Sequence, residues 1–240
     1  MLVITDNEFV TVYHSPGKTN TTLISFSGIN FEALKVGVAS PSALMQPEFV
    51  HTSPHIGDRF WIIDKKRSWG NLVDWAWLSN LLKSYLENKK VICVGTCTGA
   101  HNAIKFSYFA QADRVFAFTP HWTIDTNVIP EEYFDPVSRE IRIKAMETLK
   151  HSTLEGLINS KTEYIFSWSP DRIDVPHMLG FPKLPNIKTI MFSDWDHYIP
   201  ARLAKEKLLY PFIEQGIIAD NAVKELSLIL QRAGIKHEVS

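Results

Sequence analysis

Apolar and β-branched residues fall along this chain in short runs, each stopped by turn formers and mostly separated from the next by a helical period. Residues 2–4 and 9–13, with Asp6 and Asn7 between them, predict an opening hairpin. Further strands are predicted at 22–26, 58–64, 91–94, 114–118, 162–168 and 188–192. Between 72 and 87 the apolar residues stand at 75, 78, 82 and 85, the spacing of one helix face. A second helix follows position 97, where Ala100, Ala103, Ile104, Ser107 and Tyr108 give a face suited to close packing on a sheet. The tail predicts two helices, one from near Pro200 and one from an Asp220 cap to Gly234. Strands alternating with helices imply an α/β architecture, a mostly parallel sheet with helices on both faces. The stretch 121–160 separates two of the strands and holds an expected helix from 136 to about 150, along with the aromatics Trp122, Tyr133 and Phe134. An insert of that length past the C-terminal end of a strand commonly becomes a lid or pocket wall. We expect one domain over residues 1–240, with 121–160 as that insert.

Composition narrows the function classes. The 240 residues are 45% hydrophobic and 12% aromatic, enough for one sizeable core. A net charge of −1, with Lys and Arg scattered, disfavours nucleic acid or an anionic membrane surface as partner. The two cysteines, Cys93 and Cys97, read as strand interior and turn apex, so no structural disulfide is expected. No uncharged apolar run approaches membrane-spanning length, and residues 1–6 lack a secretory pattern. The expectation is a cytoplasmic protein that acts on a small molecule.

The chemistry concentrates at Val91-Ile-Cys-Val-Gly95-Thr-Cys97-Thr-Gly99-Ala100. An apolar strand runs into Gly-x-Cys-x-Gly, and helix formers follow at once. Two glycines permit a strand-to-helix turn too sharp for larger side chains, which leaves residue 97 exposed above the sheet. A cysteine there also sits at a helix N-terminus, whose free N–H groups favour a thiolate. Gly95-x-Cys97-x-Gly99 does not extend to a dinucleotide fingerprint, because position 102 is Asn. No Cys/His quartet with zinc spacing occurs. Neither a cofactor nor a metal is expected.

Two later strands end in residues that an activated thiol needs. The first runs into Ser169-Pro-Asp171-Arg-Ile-Asp174-Val-Pro176, the second into Ser193-Asp-Trp195-Asp-His197-Tyr198. Elbow, then Asp before a Pro, then His, in that order, resembles the α/β-hydrolase superfamily, with cysteine in place of the usual serine. The elbow itself is similar to those of dienelactone hydrolases and polyester synthases. Carried onto this chain, the resemblance implies Cys97 as nucleophile, His197 as base and Asp171 as acid, with Asp174 and then Asp125 as alternative acids. It also implies backbone oxyanion donors at Thr98 and at Ile29, the latter in Ser27-Gly28-Ile29-Asn30. Trp168, Trp195 and Tyr198 adjoin the acid and base loops and, with Trp122, Tyr133 and Phe134, are the candidates for a substrate pocket. A thiolate suits esters and thioesters better than amides. The expected activity is therefore hydrolysis of a carboxylic ester or thioester through an acyl-cysteine. Its alternatives are transfer of the acyl group to an alcohol or thiol acceptor, or a binding protein that keeps the fold.

Overall fold

The computed structural model describes residues 1–29, 47–51, 57–125, 127–133, 136–147 and 153–240. Their strands are β1 (Leu2–Asp6), β2 (Val10–Ser15), β3 (Thr21–Phe26), β4 (Asp58–Asp64), β5 (Lys90–Thr96), β6 (Arg114–Phe118), β7 (Glu163–Trp168), β8 (Ile187–Phe192) and β9 (His237–Val239). They form one sheet in the order β1-β2-β4-β3-β5-β6-β7-β8-β9. From β4 through β8 every neighbouring pair is parallel, whereas β1, β2 and β9 add antiparallel edges.

The interior strands read as near-continuous apolar runs because both of their faces are covered. Alternation sorts their side chains. Val91 and Cys93 of β5 point into one core with Phe26, Phe60, Tyr164 and Phe166, while Ile92 and Val94 point into another with Leu23, Phe118, Ile165 and Phe192. The first core is closed by α1 (Trp75–Leu86) and α2 (Thr98–Ala110), through Leu78, Leu82, Ala103 and Phe106. The second is closed by α5 (Ile199–Lys205), α6 (Leu209–Ile218) and α7 (Ala222–Arg232), through Leu203, Phe212, Ile213, Leu226 and Leu230. Each of these leucine, isoleucine and phenylalanine side chains contributes about 1.5–3 kcal/mol by leaving water. Asp74 caps α1, its carboxylate accepting from Trp77 N–H at 2.9 Å.

Two further helices are α3 (Pro136–Met146) and α4 (Asp174–Gly180). The helix expected from 136 is α3, which ends at Met146, and residues 148–150 lie outside the described residues. The tail holds three helices where two were expected. Lys207, at φ +60°, turns the chain between α5 and α6 with a residue whose sequence carries no turn signal. Strand β9 is also new: three residues are too few for a readable alternation, and its pairing with β8 fixes it.

Candidate active site

The site is built at the C-terminal ends of β3, β5, β6, β7 and β8. Cys97 stands between β5 and α2 with φ +54° and ψ −116°, a conformation that costs a non-glycine residue about 1–3 kcal/mol. The flanking glycines are required by close approach. A Cβ at Gly95 would lie 2.4 Å from the Gly99 backbone, and one at Gly99 would lie 2.3 Å from Phe26 O. Two backbone bonds hold the turn, Cys97 N–H to Phe118 O at 2.9 Å and His101 N–H to Cys97 O at 3.1 Å. The Cys97 thiol is partly exposed, whereas Cys93 is fully buried, and burial with the nearby Asp113 pushes its thiol far up. The two are free thiols.

His197 follows β8 and turns its Nδ1 to Asp174 Oδ1 at 2.5 Å. A carboxylate only accepts, so Nδ1 carries a proton. Asp174 is wholly buried at the start of α4, and its Oδ2 accepts from Ser169 Oγ–H at 2.5 Å. Burial alone would lower the His197 pKa. Its hydrogen bonds and charge interactions with Asp174 and Cys97 outweigh burial and hold it well above the ordinary histidine range.

Between the two adjacent acids the geometry discriminates. Asp174, the alternative, meets the imidazole. Asp171, ranked first from the sequence, does not: its Oδ1 accepts from Ile173 N–H at 2.8 Å and so closes its own turn. Its carbonyl accepts from the N–H groups of Asp174 and Val175, each at 3.0 Å. Asp125 is likewise engaged locally, its Oδ1 accepting from the backbone and side chain of Asn127 at 2.8 and 3.0 Å.

A second imidazole, which the sequence reading passed over, reaches the thiol. His121 lies just past β6, is 1% exposed, and places Nε2 3.1 Å from Cys97 Sγ. Its Nδ1 faces Trp69 Nε1 at 3.2 Å. Two more buried histidines surround it. His177 of α4 stacks on it with centroids 4.2 Å apart, and His101 of α2 points Nδ1 at its carbonyl oxygen, 2.7 Å away. Burial first, then repulsion from neighbouring positive groups, holds His101, His121 and His177 well below the ordinary range, so all three are neutral. The only sequence signal for His121 was its place after a parallel strand, where site residues collect.

Ligand atoms of Cys97, His121 and His197 lie within 4.8 Å of one another. A metal on His121 Nε2 would push that ring's proton to Nδ1, against the indole N–H of Trp69. The group is better fitted to moving protons than to holding an ion.

The proposed oxyanion loop crosses directly above the elbow, since the missing Cβ of Gly99 would also lie 2.9 Å from Gly28 N. Ile29 is anchored there through its carbonyl, which accepts from Arg67 Nε at 3.1 Å. Thr98 opens α2 and is 5% exposed. Glu48 accepts from Gly28 N–H at 3.0 Å, and burial lifts its carboxyl to about 7.

The aromatic candidates scatter. Trp168 is a core residue in contact with Phe166 and Phe181. Trp122 packs edge-on to Phe181 and lies where Gly180 leaves room. Trp195 stacks on Phe192 under Arg202. Tyr198 is exposed and meets the His197 ring at 5.7 Å, and Tyr133 lies under the Arg172 guanidinium at 5.6 Å. Phe134 lies outside the described residues.

No family model and no curated protein matches this sequence. Solved structures do. A capsule O-acetyltransferase of Neisseria meningitidis serogroup A matches with TM-score 0.54 at 12% identity over 87% of this chain and 92% of that one. An α/β hydrolase enzyme from a Medee basin deep-sea metagenome library matches with TM-score 0.53 at 12% identity over 97% of both chains. The chain has the α/β-hydrolase fold. A Staphylococcus aureus subsp. aureus Mu50 protein of unknown function matches as well, with TM-score 0.55 at 12% identity over 95% and 97%. Identities this low speak for the fold alone. Within that fold, the strand-to-helix turn after β5 carries Cys97, and the segments that follow β7 and β8 carry Asp174 and His197. No helix among the described residues is long and apolar enough to cross a membrane.

Proposed function

We propose that this protein is an enzyme that cleaves a carboxylic ester or thioester of a small molecule through a Cys97–His197–Asp174 triad. The observation that carries the reading is the buried Asp174 carboxylate 2.5 Å from His197 Nδ1, with that imidazole beside the strained, partly exposed thiol. Asp174 orients the ring and stabilises its protonated form, which leaves Nε2 to take the proton of Cys97. The thiolate attacks the acyl carbon, the amides of Thr98 and Ile29 are the oxyanion donors, and the leaving group takes its proton from His197. Water activated by His197 then hydrolyses the acyl-cysteine. The pocket walls fall to the 121–160 insert, of which α3 and Tyr133 are described parts.

A second reading keeps the same intermediate and passes the acyl group to an alcohol or thiol. A hydrolase and an O-acetyltransferase of this fold are about equally similar to the chain, which supports keeping it. The test is a panel of activated esters and acyl thioesters, with mass spectrometry of the quenched protein. Wild-type enzyme is expected to gain one acyl group on Cys97 and turn over. Cys97→Ala and His197→Ala are expected to lose turnover by orders of magnitude while remaining folded. Turnover that survives in Cys97→Ala overturns the triad. Adding alcohols and thiols divides the two readings, since a transferase passes the acyl group to the acceptor and releases correspondingly less free acid, whereas a hydrolase releases free acid throughout.

A further inference from the structure

The triad uses one of the two imidazoles that reach the sulfur. The other is fixed by a different kind of partner. An indole N–H can only donate, so His121 Nδ1 accepts from Trp69 and the ring proton of this neutral histidine sits on Nε2, 3.1 Å from Cys97 Sγ.

The surroundings hold this arrangement from several directions. Trp69 is 1% exposed and has φ +52°, between Arg67 at +50° and Gly70 at +68°. Two non-glycine residues with positive φ, separated only by Ser68, persist only where neighbours over-determine the backbone. Asp64 supplies part of this: its Oδ2 accepts from the N–H groups of Ser68 and Gly70 at 2.7 and 2.9 Å. The buried Lys105 of α2 supplies more, donating Nζ–H to Trp69 O at 2.9 Å and to Asn71 Oδ1 at 3.2 Å. His101 Nδ1–H donates to the His121 carbonyl, and the His177 ring lies parallel to His121 within 13°. Ile29, Ile124, Ile141 and Ala145 pack round Trp69 and seal it from water.

We propose that His121 is a second catalytic imidazole, a fixed hydrogen-bond donor to the Cys97 sulfur, with Trp69 as the positioning residue that holds its proton on Nε2. The proposal rests on Cys97 being the nucleophile. His121 keeps its proton throughout. When the Cys97 S–H proton passes to His197 Nε2, the resulting thiolate accepts from His121 Nε2–H. Attack converts the sulfur lone pair into the S–C bond as the carbonyl π pair moves onto oxygen. The return of that pair breaks the bond to the alkoxide or thiolate leaving group, which takes the proton from His197, and the donor loses its charged partner. In the second half-reaction the oxygen of water bonds to the acyl carbon and its proton goes to His197. The C–S bond breaks, its electron pair returns to sulfur, and the same N–H receives the departing thiolate. The titratable and charged groups facing this pair are His101 and Lys105 of α2, Arg142 of α3, Asp174 and His177 of α4, and His197. Among them a neutral donor adds no further positive charge beside His197.

The experiment follows the rate of iodoacetamide alkylation at Cys97 against pH in the full chain, with mass spectrometry separating it from Cys93. His121→Leu, His121→Gln and Trp69→Phe are compared with wild type after circular dichroism shows each folded. His121→Leu is expected to raise the apparent pKa by about one unit, making alkylation near pH 6 roughly tenfold slower. His121→Gln retains an N–H donor and is expected to recover most of that loss. Trp69→Phe, which frees the ring proton to move to Nδ1, is expected to fall between. A His121→Leu profile that coincides with wild type overturns the proposal. If that variant does not fold, a wild-type profile in Trp69→Phe overturns it instead. The proposed activity fails separately: an enzyme that alkylates as described but turns over no acyl substrate removes the activity and leaves the role of His121 standing.

Discussion

His197 and His121 both reach the Cys97 sulfur, with their ring centroids 6.0 Å apart, and what stands behind each ring divides their chemistry. Behind His197 is a buried carboxylate, which fixes the proton on Nδ1 and favours a positive ring. Behind His121 is an indole N–H, which donates to Nδ1 and fixes the proton on Nε2. Exposure differs in the same sense. The His197 side chain is 15% exposed and open at the site, while His121 is sealed under Trp69 and His177. The ring's identity thus says little about its role, and the partner on the far nitrogen says most of it.

The largest break in this comparison is expected from Asp174→Asn. An amide in that place can donate to Nδ1, which moves the ring proton to Nε2 and makes His197 resemble His121. Turnover is expected to drop about 10⁴-fold, the scale on which a lost orienting carboxylate costs a triad. Steady-state rates on one activated ester, at matched fold by circular dichroism, check it. A loss of less than about tenfold removes Asp174 from the triad.

The same contrast shows what was legible in the sequence. Cys97 and His197 stood out because strand-to-turn patterns carry them, and the sheet that supports them followed from apolar runs. The aspartate that meets His197 lies in the loop expected to carry the acid, three residues past the one ranked first. Asp171 sits where the chain leaves β7 and satisfies a local turn, whereas Asp174 opens α4, whose seven residues left no helical period to read. His121 and Trp69 left weaker traces still. His121 gains its meaning from two residues distant in sequence, and the positive φ of Trp69 belongs to a residue type that gives no turn signal. Contacts closed by tertiary structure alone are what one-dimensional patterns omit.

The two halves of the site also titrate with opposite sign. In the unfolded chain His101, His121 and His177 protonate as pH falls through about 6.5, but the fold keeps them neutral. The unfolded chain then binds more protons, so each contributes stability that is present above about pH 6.5 and is lost on acidification. The loss is about 1.4 kcal/mol per pH unit for each. His197, raised in the fold, contributes stability that is full below about 6.5 and lost as pH rises through its folded value. Glu48, raised to about 7 in the fold, opposes the three neutral histidines below that value, and Asp64, also raised by burial, acts in the same sense. A difference between variants isolates one histidine from these offsets. His177→Phe is expected to flatten the dependence of urea unfolding free energy between pH 6.5 and 5 by about 1.4 kcal/mol per unit. Identical slopes for the two proteins show that His177 is protonated in the fold.

The smallest expected effects sharpen the comparison by testing what supports Asp174. Ser169→Ala removes the hydroxyl that donates to Asp174 Oδ2 and leaves one oxygen of a wholly buried carboxylate without that partner. A hydrogen bond to a charged group contributes about 1.5–3 kcal/mol, part of which shifts here from holding the carboxylate to charging the imidazole. We expect kcat/KM to fall about tenfold, with the acid limb of its pH profile moved, since the orientation of His197 loosens while its partner remains. Asp171→Asn provides the contrast three residues away. Its carboxylate closes a half-buried turn with Ile173 N–H, an interaction that an Asn side-chain oxygen reproduces. Its kcat/KM is expected to stay within about twofold of wild type and its pH profile to be unchanged. If instead Asp171→Asn shifts the acid limb and Ser169→Ala does not, the charge behind His197 comes from the first aspartate of the loop, and the roles assigned to the two acids must be exchanged.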